Sequence, residues 1–400
     1  MSQYKSQEEQ TLVLVIGAAL TPFNRRRDGS SFRDWSLQAF TNALQMSGLG
    51  PGDIDALIVS SESDFFTLQL NPASVLAQDL GLVGAATLRV EGGGGSGQFA
   101  VHAGVERILS GRSKRVAVVG VDPSASALGG YSIRELYGYS FDFWTDGLSG
   151  ATSTALYALS WQAFAAVTGG SEEDLALITA KNRRNAQHNP GAHLPRDHSF
   201  AEINASPLIA SPYRRLHCSP LSDGAAALIL CSEDAAPEAR KDVAPLIMGL
   251  GAGSDLPGLG HRSAPGFFRA KSNAAARGLA MAGISASDIA LAEVYDAYAG
   301  AELQAIAALG LVDDPLAALR DGVFDADGAC PINLSGGLMG QGAPVGATGV
   351  GQAATCALLL EGRYHPDLQP KSPLGYALAE SHGGLATTCA VTVLGAGANA

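Results

Sequence analysis

The residues best suited to chemistry form a burst of glycines, Gly92–Gly97, which is interrupted only by Ser96. The burst follows a strand-like segment at 87–91 and precedes a helical pattern that continues to residue 109. The first N–H groups of a helix are free and carry partial positive charge, so they stabilise a bound oxyanion or phosphate. The pattern therefore predicts either an anion site at this corner or a tight strand-to-helix turn without a ligand.

The same glycines fit a second chemistry. Gly92, Gly94 and Gly97 satisfy the G-x-G-x-x-G pattern of dinucleotide-binding proteins, although successive glycines satisfy it easily. Asp122 ends the following strand, where such proteins carry an acidic residue for the ribose. A nicotinamide-dependent dehydrogenase is therefore an open alternative at this point. A second glycine-rich segment, at 336–349, marks another corner where backbone approaches a ligand closely.

The distribution of apolar residues predicts the strands and helices that position the two glycine-rich corners. Short apolar segments of strand type alternate with longer helical patterns along most of the chain. Strands that alternate with helices favour a parallel or mixed sheet covered by helices on both faces, so we predict an α/β fold. The predicted strands are 12–20, 56–60, 87–91, 115–122 and 226–232.

One internal repeat relates two distant parts of the chain. The segment Leu44–Ile54 recurs as Leu279–Ile289 at a constant offset of 235 residues, and both copies contain Leu-x-Met-x-Gly followed by Asp-Ile. Two copies this far apart predict two similar halves rather than a solenoid, whose repeats span about 20–50 residues. We place these halves at 11–255 and 256–400. A charged, proline-punctuated stretch at about 123–216 is predicted to be an inserted loop region that covers one face of the first half.

The composition narrows the possible functions. The formal net charge is −12, from 26 basic and 38 acidic side chains, which disfavours nucleic-acid binding and attraction to anionic membranes. Apolar residues make up 46% and charged residues 16%, a balance that excludes disorder. No apolar run approaches the roughly 18 residues of a membrane span, and the first residues lack the layout of a signal peptide. The scattered cysteines suit a reducing compartment, so we expect a soluble cytoplasmic protein.

Several segments of the sequence resemble conserved motifs of the thiolase superfamily, and they occur along the chain in the same order as in that family. The glycine burst, with its flanking strand and helix, resembles the region that carries the nucleophile in that family. The stretch Asp174–Pro190 is most similar to the sterol-carrier-protein-X type and its bacterial lipid-transfer relatives. The four other segments that carry the resemblance are Thr21–Phe23, Ser219–Ala226, Ala292–Ala299 and Asn333–Gly349.

The resemblance implies a duplicated five-layer α/β/α/β/α sandwich with an inserted loop region, and a homodimer. It also implies an acyl-CoA substrate, so that coenzyme A arrives with the substrate and no cofactor is held permanently. Arg183 and Arg184 are then expected to contact the CoA phosphates. No metal site is expected, because prolines interrupt the spacing of His188, His193 and His198.

The chain departs from the family at the side chains that carry its chemistry. Gly94 stands where the resemblance places the nucleophilic cysteine, and Ala343 stands at the histidine of the G-H-P motif. Tyr295 replaces an asparagine or histidine. Because glycine cannot be acylated, acetyl transfer through an acyl-cysteine is not expected.

Certain cysteine-lacking relatives carry a tyrosine in the pocket and act as retro-aldolases on β-hydroxyacyl-CoA substrates, and the resemblance favours this activity. On this interpretation Tyr295 is the base or proton shuttle, His382 is a proton donor or enolate stabiliser, and Asp296 supports a neighbour. The corners that bind the substrate, including an oxyanion hole, consist of Gly94, Gly95, Ser96, Gly336, Gly337 and Ala343.

Two expectations about partners and activity accompany this hypothesis. The alternative to an enzyme is a catalytically degenerate thiolase-like subunit that binds an acyl chain or lipid within a complex. Similar cysteine-lacking proteins also suggest a zinc-ribbon/OB-fold partner that presents the acyl-CoA.

Overall fold

The computed structural model describes residues 11–127 and 136–398 of the 400-residue chain. Within this part the strands are β1 Val13–Leu20, β2 Ala56–Ser60, β3 Ala86–Val90, β4 Arg115–Pro123, β5 Leu208–Ala210, β6 Tyr213–Arg214, β7 Asp223–Ser232, β8 Leu246–Ser254, β9 Ile289–Glu293, β10 Tyr376–Gly383 and β11 Thr388–Gly395. Nine of them form one sheet in the order β3-β2-β4-β7-β1-β8-β11-β10-β9, and β5 pairs with β6 as a separate hairpin. The predicted strands agree with the observed ones to within three residues at each end.

The nine-stranded sheet consists of two parts that meet at a single pair of residues. β1 pairs with β7 along its length but with β8 only at Leu14 and Leu246. In the first part β2 runs parallel to both β3 and β4, so the carboxyl ends of these strands lie at one edge. In the second part β9 runs parallel to β10, while β11 is antiparallel to both of its neighbours.

The helices cover both faces of each part of the sheet. Their bounds are α1 Phe32–Ser47, α2 Asp64–Thr67, α3 Pro72–Asp79, α4 Ser96–Leu109, α5 Ser153–Thr168, α6 Glu172–Gln187, α7 Phe200–Ala205, α8 Glu238–Lys241, α9 Arg269–Ala282, α10 Ala299–Leu309, α11 Pro315–Arg320, α12 Gly337–Gly340 and α13 Val345–Leu360. In the part of the chain that the structure describes, no helix is both long enough and apolar enough to cross a membrane.

Helices α4 and α13 form the middle layer of the molecule. Both contact strands of the first part of the sheet and strands of the second part. Helices α1 and α3 pack on the outer face of the first part, and α9 packs on the outer face of the second. The layers are therefore helix, sheet, helix, sheet and helix, which confirms the predicted sandwich.

The close approach of the two middle helices explains one glycine of the dinucleotide-like pattern. A Cβ at position 97 would lie 2.5 Å from the backbone nitrogen of Val350, so only glycine fits there. The carboxylate of Asp122 is likewise committed within the protein, because it accepts hydrogen bonds from the Ser61 hydroxyl at 2.9 Å and the Gly346 N–H at 2.6 Å. These contacts account for the glycine and the aspartate without a dinucleotide.

The internal repeat is visible as the same local structure in both places. α1 ends at Gly48 and α9 ends at Gly283, and both glycines adopt the left-handed conformation, with φ of 75° and 70°. Each is followed by a short turn in which an aspartate, Asp53 or Asp288, accepts a backbone hydrogen bond of 2.8 Å. A strand then begins in each copy, β2 in one and β9 in the other. The predicted helix–turn–strand unit is therefore present twice.

The stretch predicted as an inserted loop region is largely helical in its described part. It contains α5, α6 and α7, and the apolar side chains of α5 and α6 join the core cluster of α9 and α10. Helix α6 also contacts α11 and α12. The expectation that this stretch covers a face of the first half is wrong for α5 and α6, because these two helices pack mainly on elements that follow residue 268. Their apolar residues, which the charged and proline-rich flanks obscure in the sequence, determine this packing.

Candidate active site

The first glycine corner is a one-turn 3₁₀ segment, Gly93–Gly95, between β3 and α4. Gly93 has a φ of +61°, which favours glycine. The Ser96 hydroxyl accepts a hydrogen bond from the Gly92 N–H at 2.8 Å and donates to the Gly93 carbonyl at 2.6 Å. Ser96 therefore fixes the shape of the turn, and the N-terminus of α4 faces the corner.

At Gly94 the corner is in contact with two other segments of the chain. A Cβ at this position would lie 2.6 Å from the hydroxyl oxygen of Tyr295 and 2.5 Å from the carbonyl oxygen of His382. No side chain fits at position 94 in this arrangement. The phenol oxygen of Tyr295 thus lies in the space that a side chain at position 94 requires.

Tyr295 follows β9, and its ring is buried, with 7% of the residue exposed. The ring packs against Leu338 and Ala343, and its centroid lies 4.6 Å from that of the His382 imidazole. Burial raises the pKa of Tyr295 well above its usual value, and the neighbouring Glu62 raises it further. Tyr295 is therefore a neutral phenol at ordinary pH.

His382 lies near the end of β10 and is almost completely buried. Its Nε2 atom lies 2.7 Å from the hydroxyl of Tyr157, which is also 2.8 Å from the carbonyl oxygen of Gly384. The single phenol proton of Tyr157 therefore has two acceptors within reach. Burial lowers the pKa of His382 to about 4, with a further contribution from the charge of Lys271, so the imidazole is neutral near pH 7.

A buried ion pair supports both Tyr295 and His382. The Lys271 ammonium lies 2.7 Å from the Glu380 Oε2 atom, and neither side chain is exposed. The same carboxylate accepts a hydrogen bond from the Tyr295 N–H at 3.1 Å, and its Oε1 atom lies 3.5 Å from His382 Nδ1. Burial alone would raise the pKa of Glu380, but Lys271 and His382 outweigh it and lower the pKa to about 2. An anionic Glu380 thus favours a proton on His382 Nδ1 and leaves Nε2 toward Tyr157.

A second carboxyl group lies near Tyr295 and was not predicted from the sequence. Glu62 follows β2, and its N–H donates to Asp122 at 2.9 Å. Its Oε2 atom is buried and has no hydrogen-bond partner among the described residues. Burial raises the pKa of Glu62 well above its usual value, and Asp122 adds to the effect, which favours the neutral acid. The sequence does contain a pattern that predicts this position. Glu62 and Asp122 stand at the carboxyl ends of β2 and β4, two neighbouring parallel strands, so their side chains meet at one edge of the sheet.

Asp296 positions the second glycine corner. Its carboxylate accepts hydrogen bonds from the Leu338 N–H at 2.6 Å and from the Asn182 side chain at 2.8 Å. Gly337 has a φ of +59°, and a Cβ there would collide with the Asp296 carboxylate. Burial raises the pKa of Asp296 well above its usual value, and the charge of Glu302 adds to this. Asp296 therefore fixes the loop beneath the Tyr295 ring and is itself enclosed.

The predicted site residues fall into two groups in the structure. Gly94, Tyr295, His382 and Ala343 lie together, and Gly95 and Ser96 belong to the same corner. Gly336 and Gly337 lie farther from Gly94, next to helix α6 and the Asp296 carboxylate respectively. Sequence reasoning missed Tyr157, Lys271, Glu380 and Glu62. Glu380 lies on β10 with His382, and the other three lie on or just after elements that carry none of the predicted site residues.

Arg183 and Arg184, which the resemblance assigns to the CoA phosphates, lie in different surroundings. Both belong to α6, but Arg183 is buried and Arg184 is exposed. The three histidines of the inserted stretch also have separate neighbours. His188 lies 3.4 Å from Asp367, His193 lies 2.8 Å from the Ser222 hydroxyl, and His198 lies 4.0 Å from Glu202. Residues 11–127 and 136–398 contain no group of three or more metal-ligating side chains in a suitable arrangement.

Comparison with known proteins identifies the family. A thiolase N-terminal domain model matches residues 13–197, and a thiolase C-terminal domain-like model matches residues 251–396. The chain is 33% identical to an acetyl-CoA acetyltransferase of Methanothermobacter thermautotrophicus over 88% of this chain and 91% of that protein. It is 26% identical to sterol carrier protein 2 of Oryctolagus cuniculus over 88% of this chain and 66% of that protein. The chain belongs to the thiolase family.

One solved structure extends the comparison of folds. The Ltp2-ChsH2(DUF35) aldolase aligns with a TM-score of 0.82 at 22% identity, over 96% of this chain and 98% of that chain. At this level of identity the likeness concerns the fold. The predicted thiolase-type sandwich and the resemblance to the sterol-carrier type are confirmed by these comparisons together.

Proposed function

We propose that the protein cleaves a carbon–carbon bond of a β-hydroxyacyl-CoA thioester by retro-aldol chemistry, or forms the bond in reverse. The observation that carries the proposal is the position of the Tyr295 hydroxyl. It lies 2.6 Å from the place of a Cβ at position 94, at the N-terminal corner of α4, with His382 beside it. A proton-transferring group thus stands where the resemblance puts a nucleophile. Retro-aldol cleavage needs proton transfer and enolate stabilisation but no nucleophile.

The reaction we assign to this geometry conserves its protons. The β-hydroxyl gives up its proton, a carbonyl group forms at Cβ, and the Cα–Cβ bond breaks. The electron pair of that bond remains at Cα as a thioester enolate, and the returning proton converts the enolate to the shorter acyl-CoA. Tyr295, as a neutral phenol, accepts the hydroxyl proton only while it releases its own. The neutral imidazole of His382 is the acceptor that we assign, and Tyr157 holds it in place.

The enolate oxygen needs a stabilising environment, and the first glycine corner supplies one in this proposal. The partial positive charge at the N-terminus of α4 is directed at Gly93–Gly95. Gly336 and Gly337 line the opposite corner and stay in place because Asp296 binds the loop that contains them. Glu62, which burial keeps protonated, offers a further hydrogen-bond donor beside Tyr295.

The cysteines of the chain do not suggest a relocated nucleophile. The thiol of Cys389 contacts the network behind the site, since it lies 3.3 Å from Glu380 Oε1. Burial raises the pKa of the Cys389 thiol well above its usual value, and the Glu380 carboxylate raises it further. A thiol in this position stays protonated and is a poor nucleophile. Thiolysis is therefore not part of the proposal.

A product assay tests the proposed reaction. We expect the purified protein, incubated with a panel of β-hydroxyacyl-CoA thioesters, to release a shorter acyl-CoA and an aldehyde or ketone, both detectable by mass spectrometry. The panel should be run with the protein alone and with the product of each neighbouring gene that encodes a zinc-ribbon/OB-fold protein, because such a partner belongs to the proposal. Thioester binding without any product in either arm would instead favour the alternative, a degenerate acyl- or lipid-binding subunit.

We also propose a homodimer, which the exposed edge of the sheet supports. β3 is an edge strand, and it presents Leu88 with half of its surface exposed. Other exposed apolar side chains lie in the turn before β3 or in the segment that follows β2. They are Phe65, Leu68, Leu70 and Val83. An exposed apolar edge strand is a site for association with another chain.

Sedimentation velocity checks this proposal. The protein is expected to sediment as a dimer at micromolar concentration, and the double variant Leu70→Glu/Leu88→Glu is expected to sediment as a monomer, because charges at the edge oppose pairing. Val167→Glu introduces the same charge at another exposed apolar position, on α5, and should leave the dimer intact. A wild-type monomer, or a dimer that survives the double substitution, would contradict the assignment.

A further inference from the structure

Arg183 is a buried cation without a counter-charge of its own. Only 2% of the residue is exposed. Its guanidinium makes no hydrogen bond and no ion pair with any residue that the structure describes, and its Nε atom is fully enclosed. Burial lowers the pKa of Arg183 to about 10, so the group still carries its charge near pH 7. An unpaired buried charge is costly, so a protein that retains one usually has a use for it.

The other buried polar side chains of α6 are all paired, which sets Arg183 apart. The Lys181 ammonium lies 3.0 Å from Glu302 and donates to the Ile332 carbonyl at 2.6 Å. Asn182 donates to the carboxylates of both Asp296 and Glu302, at 2.8 and 2.6 Å. The neighbouring polar side chains of α6 therefore have hydrogen-bond or ion-pair partners, whereas the Arg183 guanidinium has none among the described residues.

Charged groups of both signs act on Arg183, but none of the described residues forms an ion pair with it. Arg215 lies close enough to lower its pKa, and Arg183 in turn lowers the pKa values of His193 and His198, which burial lowers first. His198 Nδ1 is also buried without a hydrogen bond to any described residue. Asp296 is the acidic group that acts on Arg183, but its oxygens already accept hydrogen bonds from α12 and Asn182.

We propose that Arg183 binds a carboxylate carried by the acyl part of the thioester substrate. The proposal rests on the proposed function, because it concerns the substrate of the same site. A guanidinium matches a carboxylate with two parallel hydrogen bonds, and the interaction is strong where water is excluded. Asn182, one residue before Arg183, is bonded to Asp296, which directly follows Tyr295. The charge of Asp296 also acts on Arg183 itself, so the guanidinium lies in the neighbourhood of the segment that carries the reacting phenol.

The enclosure of Arg183 favours an acyl carboxylate over the phosphates of CoA. The phosphorylated head of CoA is large, multiply charged and strongly hydrated, and it requires several cations at a surface. A single guanidinium with 2% exposure suits one small oxyanion at the end of an acyl chain. Arg184, which is exposed on the same helix, is the arginine that remains accessible to the CoA phosphates.

Calorimetric titration with paired thioesters tests the assignment. The probes are succinyl-, glutaryl- and adipoyl-CoA, each compared with the neutral acyl-CoA of the same length. None has a β-hydroxyl group, so binding is measured whether or not the protein is an aldolase. For at least one pair we expect the carboxylate to bind tenfold or more tightly than the neutral acyl group, and Arg183→Met to abolish that difference. Arg184→Met should leave the ratio unchanged, whatever it does to both members of the pair.

Two outcomes of this titration would overturn the proposal. One is equal affinity for the charged and neutral members of every pair in the wild-type protein. The other is a loss in Arg183→Met that is the same for both members and disappears with pantetheine thioesters, which would assign Arg183 to a CoA phosphate. Discrimination between carboxylate and neutral thioesters without any aldol product would refute the proposed reaction and leave this site standing.

The stability of the variant supplies an independent readout. Because Arg183→Met removes an uncompensated buried charge and keeps a side chain of similar length, its melting temperature without ligand is expected to equal or exceed that of the wild-type protein. The favoured dicarboxylic thioester should then raise the melting temperature of the wild-type protein more than that of the variant. A marked fall in the melting temperature of unliganded Arg183→Met would show that Arg183 has a structural partner, and would overturn the assignment.

Discussion

Substitution of Tyr295 by Phe is expected to lower retro-aldol turnover by about 10²–10⁴-fold, the usual contribution of a positioned proton-transfer group. The reason is that the hydroxyl at Gly94 is lost while the ring, which packs on Leu338 and Ala343, stays in place. Thioester affinity and the melting temperature should change little. Steady-state kinetics, with calorimetric binding of a thioester that lacks the β-hydroxyl, separates the two effects.

Tyr298→Phe is the matched control for this substitution. Tyr298 lies three residues further along the same segment, and its hydroxyl bonds to Thr154 at 3.1 Å instead of facing Gly94. Turnover in Tyr298→Phe should stay within a few-fold of the wild-type rate. Equal rates for the wild-type protein and Tyr295→Phe would remove Tyr295 from the mechanism.

The second large effect is expected for Lys271→Met, on stability. The substitution leaves the Glu380 carboxylate buried without its counter-ion, which costs about 3–5 kcal/mol in comparable buried pairs. In the wild-type protein the pKa of Glu380 lies near 2, so this group stabilises the fold above its unfolded-state pKa, and the effect is lost as pH falls toward 2. In the variant the charge of Lys271 no longer opposes burial, so that pKa is expected to rise even though the contact with His382 remains. The destabilisation should therefore be larger at pH 7 than at pH 5, as measured by denaturant unfolding.

A solvent-exposed ion pair with almost the same nitrogen–oxygen distance provides the control. The Lys114 ammonium lies 2.6 Å from Asp234, but the two side chains are 65% and 61% exposed. Lys114→Met is expected to leave the unfolding midpoint unchanged within error, because water screens such a pair. If Lys271→Met is as harmless as Lys114→Met at pH 7, the buried pair does not hold Glu380 ionised.

The convergence of three residues of the candidate site could be predicted from the sequence, whereas the hydrogen-bond and ion-pair network behind them could not. Gly94, Tyr295 and His382 each lie at or just after the end of a predicted or observed strand. Once the thiolase-type sandwich is assumed, these strand ends lie close together, and so do the three residues. Lys271 and Tyr157 lie on helices whose sequences carry no such marker. A lone lysine within an alanine-rich helix is typical of a solvated face, and only packing of α9 against β11 makes it a buried partner of Glu380.

The same difference applies to the fold. Local apolar patterns predict individual strands, but they do not predict how distant elements pack together. Strands such as β2 and β7 are buried along their whole length, so their continuous apolar runs gave bounds close to the observed ones. The stretch at 123–216 differs from these strands, because its charges and prolines are typical of loops although its described part is largely helical. Arg183 shows the reason: on α6 a charged side chain faces inward, and hydropathy alone cannot distinguish such a residue from one in solvent.

The contact between Gly94 and Tyr295 also constrains how this site can change through mutation. A cysteine at position 94 would place its Cβ against the Tyr295 hydroxyl and the His382 carbonyl oxygen, and the carbonyl belongs to the backbone of β10. Nucleophilic chemistry at position 94 thus requires a smaller residue at 295 and a shift of that strand, besides the thiol itself. Because each change alone disturbs the present packing before a thiol there can act, several substitutions rather than one separate this arrangement from a nucleophilic site.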